Sequence, residues 1–353
     1  MIFPDFDILT LQLRETGDIV MNMKNWFDNL LAAEKKPALP LLSFPSVSLL
    51  GITVRELIAD PRLQAAGMQA VAQRNASAAA VSMMDLSVEA EAFGSTIRTS
   101  DSEVPTVVGA IVTDAAEAEA LAVPPVGAGR TGAYIRAIEE ASALITDRPV
   151  FAGIIGPFSL AGRLVDVNEA LILCYDDPDM LHTVLEKTTA FLIEYARAYR
   201  AAGANGVVMA EPLTGLLSPD LAEEFSEPYV RRVIEAVQTD DFAVIYHNCG
   251  NATIRQIDSI LRVGAMGYHF GNSIDMAEML THIPADVPVM GNVDPVSQFY
   301  AGTPESMRAA VNDLLDACGS YPNFILSSGC DIPPGAKWEN IDAFFAAARD
   351  YGN

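Results

Sequence analysis

The chain has 353 residues, with 22 Lys or Arg against 46 Asp or Glu, and a formal net charge of −24. This charge excludes an extended nucleic-acid-binding face, which needs clustered basic side chains. Half of the residues are hydrophobic and only 19% are charged, so the chain has material for a large core and is not a disordered acidic protein.

The sequence predicts neither a membrane span nor a secretory signal. No run of about 18 uninterrupted apolar residues occurs. The first twenty residues carry five charged side chains where a signal peptide needs an apolar stretch. Four cysteines in such a chain are expected to be reduced thiols, which are better suited to metal binding or catalysis than to disulfides. We therefore expect a cytoplasmic protein without a membrane partner.

The N-terminal part of the chain predicts an extension followed by a helix. Residues 1–23 are interpreted as an N-terminal extension, whose first twenty residues are a loose segment or an upstream start. A helical pattern follows in residues 24–36, so the domain would carry a helical extension at its N-terminus.

The next segments predict the first two strands. Apolar runs at 37–44 and 78–87 lie on either side of a helical pattern at 60–75. After the second strand, residues 91–114 alternate in a β-like way between turn residues, which predicts a β-hairpin excursion.

From about residue 140 onward, apolar runs alternate with helical patterns, as is typical of βα units and a parallel sheet. The longest helical patterns are at 177–203 and 218–238. Eight strands alternating with helices predict a single (β/α)8 TIM barrel over residues 24–353, since no glycine fingerprint of a doubly wound sheet follows the first strand. The six later strands are predicted at 149–157, 205–212, 242–250, 266–272, 287–295 and 323–333.

In such a barrel the chemistry lies at the carboxyl ends of the strands, where this sequence is polar. His247 and Cys249 are two residues apart at one strand end, so their side chains leave the same face of the chain. Cys330 ends the eighth strand, at the same mouth. One imidazole and two thiolates are typical of a Zn²⁺ site with three protein ligands, whose vacant fourth position marks a catalytic zinc.

Structural zinc sites more often use four protein ligands from CxxC-type turns, and no CxxC pair occurs here. The alternative is that these three residues are ordinary buried side chains. We give that interpretation to Cys174 and Cys318, which lie in helical patterns.

The segments around these residues also resemble a known superfamily. HNCG (247–250), SGCDIPP (328–334), GNVDP (291–295) and the stretch 202–230 are similar to the uroporphyrinogen decarboxylase superfamily, and within it to the corrinoid:coenzyme M methyltransferase branch. The similarity extends over nearly the whole chain from about residue 24. In that branch, His-x-Cys and a distant Cys bind zinc, which activates a thiol to take a methyl group from a methylated corrinoid on a partner protein.

The resemblance therefore implies His247, Cys249 and Cys330 as zinc ligands. It implies methylcobalamin or another corrinoid as methyl donor, and a methylated corrinoid protein and a small thiol as partners. Coenzyme M enzymes carry an acidic residue near the zinc on strand six, where this chain has Gly271 or Asn272, so the acceptor thiol stays open. The sequence does not predict the oligomeric state.

True decarboxylases are the first alternative. Asp85 falls where their pyrrole-binding aspartate lies. However, LSFPSVSLL (42–50) replaces their arginine-rich motif, Arg163 stands where a tyrosine is expected, and Cys330 replaces a histidine. A barrel that binds a corrinoid or tetrapyrrole without turnover is the second alternative.

The remaining candidates are polar residues near the strand ends. Glu211 is expected to be a fourth zinc ligand or a hydrogen-bond acceptor to another ligand, with loop capping as the alternative. For His269 the alternative to a role in the site is a place in the core, and for Asp294 it is to fix the turn after the seventh strand. The candidates for substrate binding are Asp85, Arg130, His269, Asn272 and Asp294.

Overall fold

The protein is described by a computed structural model that covers residues 11–13 and 19–352. Its strands form one seven-stranded parallel sheet in the order β11-β10-β9-β8-β7-β6-β3, and the antiparallel pairs β1-β2 and β4-β5. The strands are β1 (Leu11–Leu13), β2 (Ile19–Met21), β3 (Ala80–Val81), β4 (Thr96–Arg98), β5 (Thr106–Val108), β6 (Val150–Ile155), β7 (Gly206–Ala210), β8 (Ala243–Asn248), β9 (Gly267–Phe270), β10 (Val289–Val293) and β11 (Phe324–Ser328).

The two edges of the parallel sheet are joined by the segment that the sequence predicts as the first strand. Leu39 N donates to Leu326 O in β11 at 2.8 Å, and Ala78 N, just before β3, donates to Ala38 O at 2.8 Å. Only Ala38 forms a ladder bridge here, because Pro37 has no N–H to donate. The sheet is therefore curled on itself, in the manner of a (β/α)8 barrel.

Helices cover the outside of the sheet, and none in the described part of the chain is long and apolar enough to cross a bilayer. The helical pattern at 218–238 is two helices that meet at Ser226, since Pro228 cannot donate a backbone hydrogen bond. The helices are α1 (Met23–Ala32), α2 (Ser46–Leu50), α3 (Val54–Ala59), α4 (Pro61–Arg74), α5 (Val88–Ala92), α6 (Ala115–Ala120), α7 (Thr131–Leu144), α8 (Pro157–Val165), α9 (Val167–Asp176), α10 (Pro178–Ala201), α11 (Pro219–Phe225), α12 (Glu227–Val237), α13 (Ile257–Arg262), α14 (Met276–Thr281), α15 (Pro304–Cys318) and α16 (Trp338–Asp350).

The predicted extension at residues 1–23 is described only in part. Its described residues form β1, β2 and the start of α1, and the rest of this prediction lies outside the described residues. Between the second and third strands of the barrel, β4 pairs with β5.

The interior of the barrel is filled from the end where the strands begin. Trp26 and Phe27 of α1 join Val208 of β7 and Ile245 of β8 in one buried cluster. Because side chains alternate along a strand, the residue two positions after Ile245, His247, also points into the barrel. Helix α1 thus closes the lower end, and the carboxyl ends of the strands form the mouth.

Candidate metal centre

The structure brings the three predicted zinc ligands together at the mouth. One ligand atom from each of His247, Cys249 and Cys330 lies within 4.8 Å of the others. Cys330 Sγ is 3.6 Å from His247 Nε2. Zinc–sulfur and zinc–nitrogen bonds of about 2.3 and 2.0–2.1 Å at a tetrahedral angle place S and N about 3.6 Å apart. Both the donor set and this spacing fit a zinc ion.

Gly271 packs directly against Cys249. A Cβ at position 271 would lie 2.5 Å from both Cα and Cβ of Cys249, so any side chain there would displace the cysteine. No carboxylate can therefore be offered from position 271. Asn272 is exposed, and its side chain packs against Gly329 after β11.

The two thiols, Cys249 and Cys330, shift each other's pKa in opposite directions. A hydrogen bond from the Cys330 thiol lowers the pKa of Cys249 against the effect of burial, and the nearby His247 lowers it further. The same hydrogen bond, together with burial, raises the pKa of Cys330. Cys249 is thus the sulfur that becomes a thiolate first, the form that binds a cation.

His269 lies behind His247, away from the mouth. Its Nδ1 is 2.8 Å from His247 Nδ1, and its Nε2 is 2.9 Å from Ser327 Oγ. Burial and His247 lower the pKa of His269 well below its usual value, so the ring is neutral. Both ring nitrogens are engaged by His247 and Ser327 and the side chain is fully buried, so His269 has no ring nitrogen free to contact a substrate.

Glu211 holds the start of α8. Its carboxylate accepts hydrogen bonds from Phe158 N (2.8 Å), Ser159 N (3.0 Å) and Ser159 Oγ (2.7 Å), and a longer one from Thr214 Oγ1 (3.3 Å). Burial raises the pKa of Glu211 to about 7, although these hydrogen bonds oppose the rise. The carboxylate is thus placed as a helix cap, which satisfies the free N–H groups of α8.

Asp85 and Arg130, both predicted to bind substrate, bind each other. Arg130 Nη1 is 2.5 Å from Asp85 Oδ2, and its Nε donates to Glu91 at 2.6 Å. Tyr134 and Ser87 also donate to Asp85 through their hydroxyls at 2.6 Å. Both oxygens of Asp85 are occupied, and Arg130 has used four of its five N–H donors on Glu91, Asp85, Tyr134 and Ser87.

Asp294 also has a structural partner. It accepts from Val296 N at 2.8 Å and Ser297 N at 3.0 Å, and so caps the π-helical segment Pro295–Tyr300. Asn292 donates to Gly271 O at 2.9 Å and thereby fixes the loop that follows β9. These two residues shape the loops around the candidate metal centre.

Ser327 was missed in the sequence, although it contacts His269. A serine one residue before a strand end carries no recognisable signal. The contact between the two histidines did have a sequence signal, because YHNC (246–249) and YHFG (268–271) begin with the same two residues. The structure pairs Tyr246 with Tyr268 and His247 with His269. Alignment of the two strand ends would have predicted this contact.

Glu89 is a buried carboxyl near Asp85 that the sequence did not single out. One of its oxygens accepts from Ile155 N at 3.0 Å, and the other has no hydrogen-bond partner among the described residues. Burial, aided by the charge of Asp85 and opposed by Ile155 N and Arg130, raises its pKa to about 8. The folded protein thus holds a proton here at neutral pH that the unfolded chain releases above about pH 4.5.

We expect Glu89→Gln to flatten the pH dependence of stability. Because the folded pKa is the higher one, the contribution of Glu89 is fully present below about pH 4.5 and is lost as the pH rises towards about 8, by up to about 1.4 kcal/mol per pH unit. Urea unfolding at pH 5.5, 6.5 and 7.5 measures this slope. From pH 5.5 to pH 7.5, the free energy of unfolding of the variant should rise by about 2 kcal/mol relative to that of the wild type.

The matched control is Glu139→Gln, because Glu139 is exposed on α7. Its free energy of unfolding should run parallel to that of the wild type. A Glu89→Gln curve that is also parallel would show that Glu89 is ionised in the folded protein.

Comparison with known proteins gives a consistent group of relatives. The sequence profile of the family described as uroporphyrinogen decarboxylase (URO-D) matches residues 46–351. The methylcobamide:CoM methyltransferase MtbA of Methanosarcina mazei is 27% identical over 271 residues, which are 76% of this chain and 78% of that protein. A uroporphyrinogen decarboxylase of a Synechococcus species is 32% identical over 206 residues, 56% of this chain and 57% of that protein.

A solved structure shares the fold over most of its length. The structure described as a methyltransferase from Methanosarcina mazei superposes with a TM-score of 0.84 at 23% identity, covering 95% of this chain and 99% of that one. This similarity supports the barrel architecture.

Proposed function

The chain belongs to the uroporphyrinogen decarboxylase family, and from this premise we propose that it transfers a methyl group from a methylated corrinoid on a partner protein to a small thiol, with a zinc ion held by His247, Cys249 and Cys330. The observation that carries the proposal is the convergence of one imidazole and two thiols at the barrel mouth. The similarity to a methylcobamide:CoM methyltransferase supports it.

A zinc ion bound to one imidazole and two thiolates would ionise an acceptor thiol while leaving its sulfur nucleophilic. In the transfer, a bond forms between this sulfur and the methyl carbon. The cobalt–carbon bond breaks with its electron pair left on the corrinoid, and the thiol proton leaves to solvent.

The protein's own contribution is binding and orientation. His247 and Cys249 are fixed by β8 and its end, whereas Cys330 approaches from the end of β11. Gly271 lets the loop after β9 pack directly against Cys249, because a Cβ at position 271 would lie 2.5 Å from both Cα and Cβ of the cysteine. The mouth is bordered by the capped helix α8 and the loop fixed by Asn292, so the site is built on rigid elements.

The contacts of Asp85 favour methyl transfer over decarboxylation. A pyrrole-binding aspartate needs an oxygen free to accept from the pyrrole N–H groups. Here both oxygens of Asp85 already accept from Arg130, Tyr134 and Ser87. The mouth also brings two thiols beside an imidazole, a donor set that suits a zinc ion.

The test combines metal content with thiol-dependent demethylation of free methylcobalamin. We expect about one zinc per chain after dialysis under reducing conditions. We also expect a loss of the methylcobalamin absorbance that depends on both protein and thiol, across a panel of coenzyme M, homocysteine and cysteine. A chelator should abolish the activity, and added zinc should restore it. Absence of zinc, or zinc without demethylation by any thiol, would overturn the proposal, and decarboxylation of uroporphyrinogen would establish the alternative.

A further inference from the structure

We propose that His269 is a positioning residue of the metal centre: with Ser327 it holds His247 in the tautomer that carries its proton on Nδ1, so that Nε2 is free to bind a metal ion. The inference rests on the proposed function for the identity of the metal. It concerns a chain of buried hydrogen bonds that runs from Leu39 through Ser327 and His269 to His247.

Leu39 O, the first acceptor in this series of hydrogen bonds, determines the direction of the others. Leu39 O can only accept, so the Ser327 hydroxyl donates its one proton to it, at 2.6 Å. Ser327 Oγ is then an acceptor at 2.9 Å from His269 Nε2, which must carry the ring proton. A neutral imidazole has one donor and one acceptor nitrogen, so His269 Nδ1 accepts.

The partner of His269 Nδ1 is His247 Nδ1, at 2.8 Å, which must therefore carry a proton. A second contact gives the same direction independently. His247 Nδ1 is also 3.3 Å from the backbone oxygen of His269, and a carbonyl oxygen can only accept. His247 Nε2 is left with a lone pair, 3.6 Å from Cys330 Sγ.

Water cannot substitute for these partners. His269 and Ser327 have no exposed surface and His247 is 2% exposed, so a ring that lost its acceptor would stay buried without an equivalent one. The groups all belong to the wall of the barrel: His247 pairs with His269 across β8 and β9, Ser327 is in β11, and Leu39 belongs to the segment that closes the barrel. Outer partners of this kind typically contribute about 10–100-fold to metal affinity.

The test compares two amide variants. In His269→Asn, the side-chain oxygen stands close to the position of Nδ1 and can still accept from His247 Nδ1. In His269→Gln, the amide stands closer to the position of Nε2, so this acceptor is lost. We expect zinc affinity, measured by competition with a chromophoric chelator, to fall at least about 10-fold in His269→Gln and less than about 3-fold in His269→Asn.

A second readout reports the tautomer in the metal-free protein. Long-range ¹H–¹⁵N spectra of histidine-labelled protein should show His247 with its proton on Nδ1 in the wild type and in His269→Asn. In Ser327→Ala, which removes the acceptor of His269 Nε2, the two tautomers of His247 should mix and zinc affinity should fall. His182→Asn is the control, because His182 lies on α10 and contacts Tyr229, and it should change neither readout.

A wild-type spectrum with the proton on His247 Nε2, or equal loss of affinity in the Asn and Gln variants, would overturn the inference. If the Asn and Gln variants fail to fold, the wild-type and Ser327→Ala spectra decide alone. Failure of the proposed function is distinguishable, since zinc binding and the tautomer are measured without a methyl donor. A protein that binds zinc through His247 but methylates no thiol would refute the function and leave the inference standing.

Discussion

Replacing Cys330 with alanine is expected to remove zinc from the protein and to abolish thiol-dependent demethylation of methylcobalamin. Structural zinc sites in zinc-finger peptides bind with an apparent free energy of about 10–16 kcal/mol, and on that scale we assign roughly a third to each of three protein ligands here. Loss of one thiolate should thus weaken zinc binding by at least about 100-fold. Zinc per chain after dialysis and the initial rate of demethylation are the two measurements.

The chain offers two matched controls for this variant. Cys318 is fully buried in α15 and Cys174 is buried in α9, and burial raises the pKa of each thiol to about 11. Cys318→Ala and Cys174→Ala should keep about one zinc per chain and the wild-type rate. Cys330→Ala should also unfold at the temperature of the zinc-free wild type, because its thiol belongs to neither of the two apolar core clusters of the described residues. Zinc retained in Cys330→Ala would remove this residue from the ligand set.

The convergence of the three candidate ligands could be predicted from the sequence, because it depends on strand geometry and barrel closure alone. A residue pair at i and i+2 on a strand shares one face whatever surrounds it, and a barrel brings all strand ends to one mouth. The positions of the later strands were predictable for the same reason: the six predicted runs at 149–157, 205–212, 242–250, 266–272, 287–295 and 323–333 contain β6 to β11 in that order. The family was likewise predictable from the segments around the ligands, and it is confirmed by the match over residues 46–351.

The first strand was predictable only as an apolar run. Residues 37–44 lie between β11 and β3, but prolines at 37 and 40 remove two donors, so regular ladder pairing is lost. Hydrogen bonds to both neighbours persist and still close the sheet. Whether such a segment forms a strand depends on what lies on either side of it, which the local pattern does not contain.

The hydrogen-bond partners of the polar side chains could not be predicted from the sequence, for a related reason. Arg130 and Asp85 are 45 residues apart in sequence, and Glu211 meets Ser159 across 52 residues. A polar residue near a strand end looks the same whether it faces a substrate, caps a helix or pairs with another side chain. Only the packing of neighbouring elements decides between these roles, and here it gives Asp85, Arg130, Glu211 and Asp294 structural partners.

Replacing Arg130 with alanine is expected to destabilise the fold by about 3–5 kcal/mol, since it leaves the carboxylate of Asp85 buried without its cation. The Asp85 side chain has no exposed surface and that of Arg130 is 15% exposed. Arg130 also donates to Glu91 and Ser87, so its removal opens several hydrogen bonds at once. Urea unfolding at pH 7, followed by circular dichroism, measures the loss.

Two further variants distinguish a role of Arg130 in the stability of the fold from a role in substrate binding. Arg136 is exposed on the same helix, α7, so Arg136→Ala should change stability by less than about 0.5 kcal/mol. The double variant Arg130→Met with Asp85→Asn removes both charges and should recover much of the loss. Zinc content should be unchanged in all three proteins, and the KM for the thiol should change less than about 3-fold. A guanidinium that binds substrate contributes to KM, whereas one that balances a buried aspartate contributes to folding. A stable Arg130→Ala protein with a KM raised tenfold or more would therefore show that Arg130 binds the anionic group of the acceptor.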